Sequence, residues 1–112
     1  MWLMPMQLIR GTTPTITINI KDDIDLSQIT QIWCYIYQGG ALKVDKDITD
    51  ISRIDYDKRQ IFLKLSQEDT LGLTAGNALF QIRLLMRDST ALANLATQIT
   101  IAEIYKGGEI SE

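Results

Sequence analysis

The sequence predicts an all-β domain, and three observations carry that expectation. The first is Ile29 to Gln38, Ile-Thr-Gln-Ile-Trp-Cys-Tyr-Ile-Tyr-Gln, a β-branched and aromatic run closed by Gly39-Gly40. The second is the strict alternation of Thr15 to Ile20, with Ile16, Ile18 and Ile20 on one side and Thr15, Thr17 and Asn19 on the other. The third is the recurrence of turn residues between short apolar runs along the chain, with a helix signature in one place alone. Together they imply an immunoglobulin-like β-sandwich of about seven antiparallel strands, with one short helical turn near residues 67–73.

Taken in order, Gln7 to Arg10 forms a short first strand. Gly11-Thr12-Thr13-Pro14 breaks it, because Pro14 has no amide for a ladder and Gly11 frees the backbone. The alternating strand follows. Lys21 to Ser27 is then a loop with Ile24 and Leu26 tucked beneath the edge of the sandwich. In the central strand Ile32, Cys34 and Ile36 share one face, and Trp33, Tyr35 and Tyr37 share the other.

For the hairpin beyond it, a three-residue loop, Gln38-Gly39-Gly40, pairs Ile36 with Leu42 and Cys34 with Val44. A two-residue Gly39-Gly40 turn would place Lys43 and Asp45 on the core face, where unpaired charges cost several kcal/mol, so the longer loop is expected. Asp45 to Asp50 reads as a loop. Ile51 to Tyr56 and Ile61 to Leu65 read as a pair of strands joined by four residues, with Ile54 facing Leu63.

Ser66-Gln67-Glu68-Asp69 has the spacing of a capping box and opens the only helix expected, about one turn, ended at Gly72. Ala78 to Arg87 is a long strand with Phe80, Ile82, Leu84 and Met86 inward, and Gln81, Arg83, Leu85 and Arg87 outward. In the last strand, Leu92 to about Ile104, Leu92 and Ala96 fit one face whereas Ile99 and Ile101 fit the other. A bulge or break between Asn94 and Gln98 reconciles them.

At 112 residues the chain is expected to be a single domain, with residues 1–6 and 106–112 as loosely packed ends. The net charge is −3 and no basic run exceeds a pair, which argues against a nucleic-acid partner. No apolar run approaches the roughly 18 residues of a membrane span. Met1 to Met6 is apolar but short and without basic residues, so no signal peptide is expected and the chain would be made in the cytoplasm. Cys34, the one cysteine, excludes an intrachain disulfide, and its isoleucine neighbours mark it as a small buried hydrophobe.

Histidine is absent, which removes Ser-His-Asp and Cys-His nucleophiles and the common zinc ligand sets. The acids fall in turns: Asp22, Asp23 and Asp25; Asp45, Asp47 and Asp50; Asp55 and Asp57; Glu68 and Asp69. Turn and cap chemistry accounts for that placement. Asp22-Asp23-Ile24-Asp25 offers carboxylates to a calcium ion but lacks the glycine and distal glutamate of a complete loop motif. No catalytic residue, metal or cofactor is therefore expected, and the chain reads as a non-enzyme. The residues that stand out are Trp33, Tyr35 and Tyr37. They suit cover by the chain itself, contact with another protein or, third, stacking on a sugar. Arg83 and Arg87, outward on the long strand, are further candidate interface anchors.

Arg10-Gly11-Thr12-Thr13-Pro14-Thr15-Ile16-Thr17, Leu65-Ser66-Gln67-Glu68-Asp69-Thr70, the Ala75-Gly76 turn and Gln81-Ile82-Arg83 resemble, in that order, the motifs of a family of small phage and prophage proteins of low-GC Gram-positive bacteria. The order of elements is also similar, more weakly, to the N-terminal sandwich of phage baseplate upper proteins. The resemblance spans Arg10 to about Glu103. It implies a tail- or baseplate-associated virion component whose partners are copies of itself and other virion proteins. Its motifs are structural punctuation, so it supplies no functional residues. A carbohydrate-binding module for host attachment is the alternative.

Overall fold

A computed structural model describes residues 7–94 and 96–104. The chain runs through β1 (Gln7–Ile9), β2 (Thr15–Asn19), β3 (Ile29–Gln38), β4 (Ala41–Asp47), β5 (Ile51–Asp55) and β6 (Gln60–Lys64). It continues through α1 (Gln67–Leu71), β7 (Gly76–Met86), β8 (Ala91–Ala93) and β9 (Thr97–Ala102). Single 3-10 turns at Leu26–Gln28 and Ile48–Asp50 precede β3 and β5. Two sheets result, one ordered β1-β9-β7-β3-β4 with β8 also on β7, the other β2-β6-β5. Neighbouring strands pair antiparallel except β1, which runs parallel to β9.

The core lies between the inner faces of the two sheets, as the alternation requires. Ile16 and Ile18 of β2 with Ile61 and Leu63 of β6 cover Ile32, Cys34 and Ile36 of β3 and Phe80, Ile82 and Leu84 of β7. All of these are buried, and each fully buried Ile, Leu or Phe contributes about 1.5–3 kcal/mol relative to exposure. Ile24 and Leu26 are buried as well. The all-β immunoglobulin-like sandwich expected from the sequence is therefore the fold observed, as is the break in the last strand. β8 and β9 lie end to end along one edge of β7, and the pairing shifts by one residue between them.

Several local expectations are corrected. The β3–β4 hairpin uses the two-residue Gly39-Gly40 turn, with φ of 62° and 76°, the left-handed pair of a type I′ turn. A bulge then takes up Lys43, so Ile36 pairs with Val44 and Tyr37 with Leu42, while Cys34 pairs with Lys46. The bulge keeps charge out of the core without a longer loop. Lys46 lies on the inner side, but at the sheet's edge, where its ammonium reaches Asp69 at 3.0 Å.

β4 extends to Asp47 where a loop was expected. Ile54 faces Ile61, not Leu63, because the four-residue turn is Tyr56 to Arg59, with Asp55 paired to Gln60; beyond a register shift between Ile51 and Arg53, Leu63 pairs with Ile51. The capping box at Ser66 and Asp69 is present, but the two 3-10 turns are additional helical elements. Asp25 and Asp47 nucleate them by accepting from the amides of Ser27 and Thr49 at 3.0 and 2.9 Å. The expectations for residues 1–6 and 106–112 fall outside the described residues.

Buried polar side chains fasten the irregular places. Asn94 fills the gap between β8 and β9: its Oδ1 accepts from the Ile82 amide at 2.8 Å and its Nδ2 donates to Thr97 Oγ1 at 3.3 Å. Gln38 holds the α1–β7 turn, donating to the Thr74 carbonyl and accepting from the Thr74 amide, both at 2.7 Å. Arg59 adopts φ 58° in the β5–β6 turn and donates to the carbonyls of Lys21 and Ile24, tying down the β2–β3 loop. Around Arg10, the guanidinium bonds the Leu71 carbonyl at 3.1 Å and Glu103 at 2.6 Å, while the Thr70 hydroxyl donates to the Thr12 carbonyl at 2.9 Å.

Replacing Asn94 by Ala leaves the buried Ile82 amide without an acceptor. The expected cost is about 1–3 kcal/mol in urea unfolding, with the m-value unchanged.

Candidate functional site

The outer face of the larger sheet gathers the residues that the sequence singles out. Side chains opposed across antiparallel strands share a face, and neighbouring strands lie about 4.8 Å apart. The register therefore sets three rows across β4, β3 and β7: Leu42-Tyr37-Leu79, Asp45-Tyr35-Gln81 and Asp47-Trp33-Arg83. The three aromatic residues form the central column. Their exposure grades along it, with Trp33 and Tyr35 half-buried and Tyr37 43% exposed. Leu42 and Leu79, at 43% and 46%, flank Tyr37 and make its row the apolar end of the face.

Arg83 lies over the Trp33 ring, its guanidinium carbon 5.9 Å from the centroid, within cation–π range. Among the described residues Arg83 closes no ion pair within the chain. Arg87 is not part of this arrangement. It follows the end of β7, where its amide donates to the Gln28 carbonyl at 2.7 Å. Leu42 and Leu79 were missed from sequence. The expected hairpin register had turned Leu42 inward, and Leu79, outward by the parity of Gln81 and Arg83, gains its meaning only from its pairing with Tyr37.

Two hollows border the face and its far end. One, of about 370 Å³, lies beside the apolar row and is lined in part by Tyr37, the Gly39-Gly40 turn, Leu79 and Gln98. The other, of about 470 Å³, is bounded by the β2–β3 loop and the β7–β8 turn, with Asp23, Asp25 and Asp88 on its wall. Two of these carboxylates have structural work. Asp25 accepts from the Ser27 hydroxyl and amide, and Asp88 is held by Thr90. Asp22 faces Arg59 at 3.6 Å. Among the described residues no three His, Cys, Asp or Glu side chains are grouped to hold a metal ion.

The hydrogen bonds also set the acid–base behaviour. The Ser27 hydroxyl lowers the pKa of Asp25, and the hydroxyls of Thr49 and Thr90 do the same for Asp47 and Asp88. The Ile104 amide and Arg10 lower that of Glu103. At Asp69 burial works upward, but the Ser66 amide and Lys46 outweigh it and the pKa falls below the ordinary 3.8. Burial pushes the Cys34 thiol up to about 12, with Asp50 adding to the effect.

A two-sheet immunoglobulin-like sandwich with an aromatic column on the outside of its larger sheet is thus the class of protein that the fold defines. A solved structure of Clostridium thermocellum CbhA fibronectin(III)-like modules is similar to it, with a TM-score of 0.50 and 13% identity, covering 93% of this chain. The chain spans about half of that neighbour, 47% of its length, and at this identity the likeness is one of fold. No family model and no curated protein matches the chain. Among the described residues no helix is long and apolar enough to cross a membrane.

Two outcomes follow. A carboxylate whose folded pKa is depressed stabilises the fold above its unfolded pKa, and that contribution is lost as the pH falls through the folded value. The urea midpoint should therefore drop as the pH falls below the ordinary aspartate value of 3.8, and Asp69→Asn should flatten part of that dependence. Cys34 should resist a thiol reagent at pH 8 in the native chain and react promptly in urea, because its thiolate is scarce and its side chain enclosed.

Proposed function

We propose that this chain is a non-enzymatic structural protein of a phage or prophage particle, associated with the tail or baseplate. In this reading it works by contacts between the outer face of its larger sheet and other proteins, copies of itself included. It is made in the bacterial cytoplasm and incorporated into the virion, without a nucleic-acid or membrane partner. The observation that carries the reading is the Leu42-Tyr37-Leu79 row, three large apolar side chains held side by side in solvent by a rigid ladder. Aromatic and aliphatic clusters of this kind mark protein contacts. The phage resemblance supplies the setting, and it rests on residues that the fold uses. Arg10 to Pro14 and Leu65 to Leu71 meet through the Arg10, Thr70 and Leu65 hydrogen bonds.

Sugar stacking has weaker support. A sugar platform needs an open ring face, whereas Trp33 carries the Arg83 guanidinium and Tyr35 is half-buried.

Particles purified after prophage induction from the strain that encodes the chain provide the test. Mass spectrometry should find it at a copy number comparable with that of tail or baseplate proteins, and Tyr37→Glu should deplete it from the particle. A chain absent from purified particles would end this reading.

A further inference from the structure

The three outer rows have a property that none of their residues has alone: each is complementary to its own reverse. Leu42-Tyr37-Leu79 reads apolar in both directions. Asp47-Trp33-Arg83 has an acid at one end, its Oδ1 accepting from Thr49 and its Oδ2 left to the face, and a base at the other. Asp45-Tyr35-Gln81 has an acceptor at one end and at the other an amide whose first N–H donates to the Asn94 carbonyl at 2.9 Å, leaving the second for a partner. A two-fold axis laid along β3 between two facing copies exchanges the ends of every row and leaves the column of rings on the axis. It brings Leu42 against the partner's Leu79, Asp45 against the partner's Gln81 and Asp47 against the partner's Arg83. Two-fold contacts require such self-complementarity, and sheets packed face to face with aligned strands supply the geometry.

We infer that this face pairs with a second copy of the chain about a two-fold axis parallel to β3. The inference rests on the reading of the face as a protein-contact surface and names the partner. Charge arrangement decides for a second copy: Arg83 closes no ion pair of its own among the described residues, and Asp45 and Asp47 line the opposite side of the same patch. An unrelated partner would need to match an acid edge, an aromatic spine and a basic edge in that order, and the chain itself already carries that pattern reversed. Three strands and three rows make a patch of roughly 300 Å² in plane. That lies well under the ~800 Å² that each partner gives to a standard stable interface. The pairing is accordingly weak in dilute solution, and it strengthens where an assembled particle holds copies close together.

Sedimentation and cross-linking of the full-length chain test this. The wild type should dimerise with concentration, and Arg83→Glu, which sets acid against acid at two symmetric places, should raise the dimer Kd about tenfold. With a short bis-maleimide, Tyr37→Cys should cross-link to itself. Leu42→Cys and Leu79→Cys should each link poorly alone and several-fold better when mixed, while Cys34, enclosed in the core, stays silent. The exposure of all three positions leaves the fold intact on substitution. A strict monomer at about 1 mM, where a Kd of that size would still pair half the chains, overturns the inference. So does self-linking of Leu42→Cys that exceeds the mixture, or cross-linking of Tyr37→Cys in particles to a different virion protein alone. In these cases a chain still found in particles keeps the structural role, and only the two-fold pairing falls.

Discussion

Register along β3 is the constraint from which the rest follows. The strand pairs on both sides, with β4 and β7, and its side chains alternate with a period of two. A slip of one residue would exchange the whole inner set, Ile32, Cys34 and Ile36, for the ring-bearing outer set. Core and surface are in this sense one specification: the ladder that buries Phe80 and Ile82 is the same ladder that lines up Leu79, Gln81 and Arg83 outside.

The period-two order is interrupted where the chain changes sheet or direction, and there polar side chains replace the missing ladder bonds. Asn94 supplies the acceptor that a continuous last strand would have given Ile82. Gln38, at the end of β3, closes the turn before β7 with both ends of its amide. Arg59 accepts a left-handed backbone conformation and in return holds two carbonyls of a loop 35 to 38 residues away in sequence. Each is a buried or half-buried polar group whose removal would leave partners unsatisfied, so these positions are sensitive out of proportion to their size.

Much of this was legible in the sequence because alternation is a local signal. The inner faces of β2, β3 and β7, the enclosed Cys34, the capping box at Ser66 and the parity change after Leu92 all follow from spacing alone. The hairpin register was not legible: a regular two-residue turn would bury charge, and the bulge that lets that turn keep the charges outside leaves no mark in residue type. The same bulge hid Leu42. Leu79 has the parity of Gln81 and Arg83, so alternation already turns it outward, but a lone outward leucine is ordinary and only its pairing with Tyr37 makes it part of a row. The aromatic column was found, but its flanks, which give the face its polarity, came from pairing partners more than 40 residues distant from β3 on one side.

Lys43 has a further consequence. It is the extra residue of the bulge, and every other pairing in the hairpin would survive its deletion, since Tyr37 already meets Leu42 and Ile36 already meets Val44. What such a deletion would change is the margin of the larger sheet, where β4 is the terminal strand. A kinked border would become a straight one, one lysine poorer, with an uninterrupted row of free amides and carbonyls, the form on which further strands can pair. One residue that the interior does not need thus gives this margin the bend and the charge by which sheet edges are commonly protected from further pairing.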